Sequence, residues 1–343
     1  MKLLVITQKI DQNDAILGFF IAWLKEFARN VDRVMVITLF KGDYQLPSNV
    51  EVYSLGKEKG KGRIGRLLKF RRLIKQLLPE ADAVLAHMCP EYIVAVSHLN
   101  KKLHKPLYLW YTHKSVSKYL IKAERLVKRI FTASKESCRI NLDKIIITGH
   151  GIDLEHFQTK EKIIKDYFEI ITVGRIAPVK NHEVLLGAIS QLSPSAKEKI
   201  RVKLIGEPLL KQDLEYLERL KLIIMDLGLT DIIKFTGPVP YQKILPYYQN
   251  ADLFINLSKT GSLDKAVLEA MACNVPIVTS NEAFKNILPE KCLVKEDDSQ
   301  DLAKKITEFY QNKPVDNLRS LIEKNHSLIN LVSQIVEEIK NYV

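Results

Sequence analysis

Two stretches carry residues whose types and spacing could do chemistry. In "ITVGRIAPVKNHEVLLGAI" an apolar run breaks at Gly174 and a helical pattern restarts near Asn181. Arg175 would leave the carboxyl end of a strand and Lys180 would stand just before the next helix, so one anion could meet both. A diphosphate suits such a pair, because the guanidinium offers forked donors and the ammonium a point charge. Taken alone, the segment also fits two solvated surface cations. The second stretch, "TGSLDKAVLEAMACNVPIV", sets Glu269 among Ala266, Val267, Leu268, Ala270, Met271 and Ala272. That helix is apolar nearly all round and is expected to be buried. A buried carboxylate needs partners. Either the fold supplies a cation or hydrogen-bond donors, or a ligand brings hydroxyl groups.

The elements that must position these groups can be read from the apolar pattern. Short β-rich runs such as "LLVIT", "RVMVITL", "AVLAHM" and "LYLWYT" alternate with amphipathic segments of helix length, and a second series follows in "EIITVG", "RVKLIG", "IIKFTG", "LFINLS" and "PIVTS". Strands that read as nearly continuous Val, Ile and Leu between helices indicate parallel sheets covered on both faces. Two series predict an α/β chain of two doubly wound, Rossmann-like domains. The first is expected over 1–157 and the second over 167–316, with a linker near Gln158 to Asp166; helices over 317–343 could pack back on the first domain. In open α/β sheets the ligand lies beyond the carboxyl ends of the strands, which directs the search to the cleft between the domains.

Composition narrows the class. A chain of 343 residues is long enough for two domains, and 46% hydrophobic with 27% charged residues is ordinary for a globular protein. There is no apolar run of membrane-spanning length. The start, "MKLLVITQK", reads as a first strand rather than a signal peptide, so residence in the cytoplasm is the expectation. Cys89, Cys138, Cys273 and Cys292 form no C-x-x-C pair and lie in or beside apolar segments, as buried thiols do. No D-x-D motif or His/Asp/Glu cluster of ligand spacing appears, and "EDD" at Glu296 to Asp298 reads as a helix-start cap, so no essential metal or other cofactor is expected. The formal charge of +12 points to an anionic partner: nucleic acid, anionic lipid or a phosphorylated small molecule.

The pair "GRIAPVKN" and "SKTGSLDKAVLEAMACNVPIV" resembles the donor-binding region of retaining glycosyltransferase family four (glycosyl transferases group 1), which has the GT-B fold. "GHGIDLEHF" and "FTGPVPYQKILPYYQNADLFINLS" extend the likeness over most of the chain. The resemblance implies a nucleotide diphosphate sugar as donor, transfer with retained anomeric configuration, and a glycan or lipid-linked hydroxyl as acceptor in surface polysaccharide or glycolipid synthesis. It assigns Arg175 and Lys180 to the diphosphate and Glu269, the second glutamate of an E-x7-E motif, to the ribose hydroxyls. His113, at the end of "LYLWYTH", matches a histidine that contacts the transferred sugar. Gly18 opens a helix after the first strand and resembles the family's glycine-rich loop, without its usual Gly-Gly pair.

One departure is informative. The first glutamate of E-x7-E would fall at Gly261, and "SLD", Ser262 to Asp264, replaces the usual Gly-Phe-Gly. We expect Asp264, or the backbone N–H groups of the Gly261 to Lys265 turn, to hold the sugar, with Lys265 near the phosphates; alternatively Asp264 simply caps the following helix. In the first half, His87 ends a strand where it could line the acceptor pocket. Asp14 either serves the acceptor side or forms its loop. The segment 57–78, "KEKGKGRIGRLLKFRRLIKQLL", surrounds a core stripe with cations, which are either a solvated face or a peripheral contact with anionic membrane at its inner face. Rival classes are a GT-B epimerase or phosphorylase, and a non-catalytic basic protein that binds nucleic acid or lipid. No nucleic-acid partner is expected, since the aromatics are not interleaved with the basic run.

Overall fold

The computed structural model describes residues 1–113, 115–140, 143–161, 165–312 and 317–343; part of the expected linker, 162–164, lies outside them. Two compact units are formed, one from Met1–Asp153, Pro240–Gln242 and Asn325–Val343, the other from Leu154–Val239 and Lys243–Lys324.

In the first unit seven strands, β1 (Lys2–Ile10), β2 (Arg33–Lys41), β3 (Val50–Ser54), β4 (Ala83–His87), β5 (Leu107–Trp110), β6 (Arg129–Thr132) and β7 (Ile145–Ile147), make one parallel sheet in the order β3-β2-β1-β4-β5-β6-β7. Its centre is apolar because both faces are covered: Leu3, Leu4, Val5 and Ile6 are fully buried, with Val5 level with Val36 on one side and Leu85 on the other. One face is closed by Phe70, Leu73, Ile74 and Leu77 of helix Arg63–Leu77 together with Ile93, Val96, Leu120 and Ala123 of the next two helices. Helix Leu328–Lys340, whose buried stripe is Leu328, Leu331, Val332, Ile335, Val336 and Ile339, packs on helix Phe20–Asn30. Backbone bonds between Ile152 and the 326–328 segment tether it, at 2.7 and 2.9 Å.

The second unit has five parallel strands, β8 (Phe168–Val173), β9 (Ile200–Ile205), β10 (Ile233–Gly237), β11 (Leu253–Asn256) and β12 (Ile277–Thr279), in the order β10-β9-β8-β11-β12. The winding reverses between β8 and β11, which is where such sheets open a crevice at their carboxyl ends. The loop after β8 carries Arg175 and Lys180, and the loop after β11 carries Gly261 and Asp264. Helix Arg319–Asn325 is held to this unit by Arg319, which donates to the carbonyls of Phe157, Ala272 and Leu154 at 2.6, 2.7 and 3.2 Å. The C-terminal segment is thus shared between the units. All four cysteines are buried free thiols. No described helix is long and apolar enough to cross a membrane.

Candidate functional site

The crevice of the second unit is shaped first by glycine. Gly174 and Gly206, at the ends of β8 and β9, have φ of +149° and +141°, a region closed to most side chains. A Cβ on Gly206 would stand 1.8 Å from the Gly174 carbonyl oxygen, so these two loops can approach only without side chains. A Cβ at Gly174 would lie 3.4 Å from Cε of Lys180, whose stem therefore crosses the end of β8. Arg175 leaves the same strand end one-third exposed, with its Nε 3.7 Å from Oδ2 of the fully buried Asp213. Asp213 is itself held by the N–H groups of Leu209 and Leu210, at 3.2 and 3.1 Å, at the start of helix Lys211–Asp226.

Asp264 and Lys180 meet. Lys180 Nζ is 3.0 Å from Asp264 Oδ1, and both side chains are largely buried. Asn256, the last residue of β11, donates from Nδ2 to Asp264 Oδ2 at 2.9 Å. Thr279 at the end of β12 donates to Asn256 Oδ1 at 3.2 Å, and the Asn281 N–H donates to the Thr279 hydroxyl at 3.1 Å. Asn281 then returns to the donor loop through Nδ2 and the Ser262 carbonyl, 2.9 Å apart. Burial acts to raise the Asp264 pKa, but the Lys180 charge and the hydrogen bonds from Asn256, Lys180 and Ser258 outweigh it and hold the carboxylate below its ordinary value. Asp264 does occupy the N-cap position of helix Lys265–Ala272, yet its side chain accepts no N–H from that helix. The expectation of a simple side-chain cap is corrected here: the carboxylate is turned to Lys180 and Asn256 instead.

Gly261 has φ of +61°, a conformation that disfavours a glutamate at that position. The turn that it opens is largely buried, and the backbone N–H groups of Gly261, Ser262 and Leu263 find no acceptor among the described residues. Glu269 is buried, as expected, and the fold supplies a hydrogen-bond donor: Tyr248 donates its hydroxyl to Oε2 at 2.8 Å. Burial pushes the Glu269 pKa up to about 7, against the opposing pull of Lys265, four residues earlier on the same helix, and of the Tyr248 hydrogen bond. An acid so poised gains from further donors.

Beside these groups Asp297, the middle residue of "EDD", does more than open a helix. It accepts from Asn181 Nδ2 at 2.8 Å and pairs with Lys259 Nζ at 2.6 Å, tying the loops after β8, β11 and β12 together. Its neighbour Asp298 makes the expected cap, accepting from the Asp301 N–H at 2.8 Å. Among the described residues no group of three or more His, Cys, Asp or Glu is arranged to hold a metal ion. The roles of Asp213, Asn256, Tyr248, Asn281 and Asp297 emerge only in the structure. A polar residue closing an apolar strand, as Asn256 and Thr279 do, was the available signal.

In the first unit the singled-out residues have separate surroundings. Asp14 pairs with Lys9 and accepts the N–H groups of Ile16 and Leu17 at 2.9 and 2.6 Å, so its carboxylate organises its own loop. Burial opposes ionisation, but Lys9 and those two N–H groups prevail and lower the Asp14 pKa. A Cβ on Gly18 would stand 2.4 Å from the Asp14 carbonyl oxygen, which by itself accounts for the glycine. His87 is buried, with its ring stacked against Phe20 and Trp110 at centroid distances of 4.2 and 5.2 Å and Nδ1 3.2 Å from the Thr7 hydroxyl. The expectation of an open acceptor wall at His87 is corrected: large aromatic neighbours enclose it. His113 is exposed just beyond β5, and its Nδ1 accepts the Ser115 N–H at 3.0 Å.

The chain matches the family described as glycosyl transferases group 1 over residues 154–328. The D-inositol 3-phosphate glycosyltransferase of Frankia alni is 28% identical over 149 residues, 40% of this chain and 36% of that protein. An uncharacterized glycosyltransferase of Methanocaldococcus jannaschii is 28% identical over 230 residues, 63% of this chain and 56% of that one. The match therefore spans between about a third and a little over half of the length of these curated relatives. Among solved structures, Anabaena HepE in complex with UDP and glucose has a TM-score of 0.78 at 18% identity, with 99% of each chain covered. That likeness is one of fold, two doubly wound units of the GT-B type. The family match takes in just over half of the chain, including the loops after β8 and β11 and the helix of Glu269, and the chain belongs to the glycosyl transferases group 1.

Proposed function

We propose that the protein is a glycosyltransferase that moves a sugar from a nucleotide diphosphate sugar to a hydroxyl of a glycan or lipid-linked acceptor, with retention of configuration. The observation that carries this reading is that Arg175 and Lys180 leave the carboxyl end of β8 while the loop after β11 brings Asp264 to Lys180 across the winding reversal and opens the helix that buries Glu269. Arg175 and Lys180 take the diphosphate and Glu269 accepts the ribose hydroxyls. The N–H groups of Gly261, Ser262 and Leu263 are left to hold phosphate or sugar oxygens, a role suited to donors at the entry to a helix. The relatives named above support the donor class, since one is a glycosyltransferase by name and another structure holds UDP and glucose.

Charge develops on the phosphate oxygen as the glycosidic bond breaks, and donors fixed before the reaction stabilise it at no further cost of reorganisation. Attack from the face that the diphosphate leaves, through an oxocarbenium-like state, lets the departing oxygen take the acceptor's proton. Arg175 and Lys180 then do the work that a divalent cation does elsewhere, and no metal is needed. The test is a panel of UDP-, GDP-, ADP- and dTDP-sugars with and without EDTA, read as released nucleoside diphosphate by mass spectrometry. Release from one donor, unchanged by EDTA, is expected. Loss of release in EDTA would refute the metal-free part, and silence across the panel the whole reading.

A membrane-bound acceptor is favoured by one surface. Helix Arg63–Leu77 buries Phe70, Leu73, Ile74 and Leu77 and leaves Ile64, Leu67 and Leu68 exposed at 78%, 51% and 62% among Arg63, Arg66, Lys69, Arg71, Arg72 and Lys75, without one acid. Exposed leucines amid cations suit an anionic lipid interface, where apolar side chains enter the acyl boundary and cations meet headgroups. The double variant Leu67→Glu/Leu68→Glu is expected to bind phosphatidylglycerol vesicles about tenfold or more weakly in co-sedimentation, since each leucine brings roughly 1–2 kcal/mol of apolar burial. Undiminished sedimentation would remove the helix from the acceptor side of the proposal.

A further inference from the structure

We propose that Asp264 is a positioning residue for Lys180, holding its ammonium group over the end of β8 and tempering the grip of the site on the nucleoside diphosphate. The inference rests on the donor reading given above.

Three observations support it. The pair closes across two loops, with Lys180 Nζ 3.0 Å from Oδ1. Asp264 is not free to follow Lys180 elsewhere, because Asn256 holds its other oxygen at 2.9 Å and Asn256 is held in turn by Thr279. The carboxylate is thereby fixed to the ends of β11, which borders the winding reversal, and of its neighbour β12. The Lys180 stem passes over Gly174, with its Cε 3.4 Å from where a Cβ on that glycine would stand.

An ammonium has three donors. Asp264 takes one and fixes the direction of the other two, so Lys180 meets the diphosphate without first losing the freedom of its four-carbon stem. The same carboxylate places a negative charge close to the phosphates. It weakens the hold on the nucleoside diphosphate and hastens product departure, whereas a neutral side chain would leave the product bound more tightly.

The test uses the full chain and Asp264→Asn, with Asp264→Ala as a second variant. Three quantities are read: acylation of Lys180 by an amine-directed reagent, followed by mass spectrometry; affinity for the nucleoside diphosphate that the donor panel identifies; and kcat with KM for that donor. Asp264→Asn is expected to label at Lys180 several-fold faster and to bind the nucleoside diphosphate roughly tenfold more tightly, since one unit of like charge is removed at close range. Its kcat should fall about tenfold or more while KM for the donor falls or stays level. Asp264→Ala should shift all three in the same directions. A purely structural carboxylate would instead weaken binding and turnover together, and a direct sugar contact would raise KM without changing affinity for the nucleoside diphosphate; either pattern overturns the proposal. Unchanged labelling of Lys180 overturns it on its own. Faster labelling in a protein whose wild type binds no nucleotide would show the ion pair to be structural only and would refute the donor reading separately.

Discussion

Replacing Arg175 by alanine is expected to lower kcat for donor turnover by about 100- to 1000-fold, the range seen when one fixed donor to a developing negative charge is removed. The size of the effect follows from how the side chain is held. Asp213 faces Nε at 3.7 Å, so the guanidinium is oriented through its inner nitrogen while the two terminal nitrogens remain to fork onto phosphate. Asp213 is buried and bound to two backbone N–H groups, which makes it a rigid anchor. Lysine at 175 should recover little, because a point charge cannot reproduce the fork. The measurement is steady-state release of nucleoside diphosphate, with circular dichroism to verify the fold. A decrease of less than threefold in folded Arg175→Ala would place the diphosphate elsewhere.

Glu269→Gln is expected to stabilise the protein at pH 8 and to impair nucleotide binding at the same pH. Burial lifts the pKa of Glu269 from an ordinary 4.5 to about 7. Between those values the folded chain holds a proton that the unfolded chain has released, so stability falls as pH rises through the window. Above pH 7 the full cost of about 3 kcal/mol is present, at 1.36 kcal/mol for each pH unit. Glutamine keeps an oxygen for the Tyr248 hydroxyl, bonded at 2.8 Å to the carboxylate, without carrying charge. Its melting temperature should therefore exceed that of the wild type by several degrees at pH 8 and show no gain at pH 4.

Binding should run the opposite way. Ribose hydroxyls donate most strongly to an ionised acceptor, so wild-type affinity for the nucleoside diphosphate should increase as pH rises from 6 to 8 and Glu269 sheds its proton. The glutamine variant should bind about tenfold or more weakly at pH 8, with a flat profile. Isothermal titration across this range, paired with melting curves, tests both halves. Equal affinity in the two proteins at pH 8 would mean that Glu269 serves only the packing of its helix.

The sequence by itself determined a good deal. Runs of Val, Ile and Leu without polar alternation require sheets covered on both faces, and two series of them make two doubly wound units. Gly174 ending an apolar run marked the strand end from which Arg175 departs, and the all-apolar flanks of Glu269 foretold its burial. These are local properties, legible because side-chain period and backbone freedom act over a few residues.

Only the tertiary structure decided the partners. Lys180 and Asp264 are 84 residues apart and become a pair because β8 and β11 are neighbours in the sheet while their loops are distant in the chain. Asp264 looks like a helix cap from its neighbours in sequence and is diverted by two side chains that local reading cannot bring near it. His87 ends a strand, as many ligand-binding residues do, yet Phe20 and Trp110 close over it. The difference is one of range: propensity and pattern set which element a residue joins, whereas burial, charge compensation and hydrogen-bond partners depend on strand order, which brings remote loops to the same edge of the sheet.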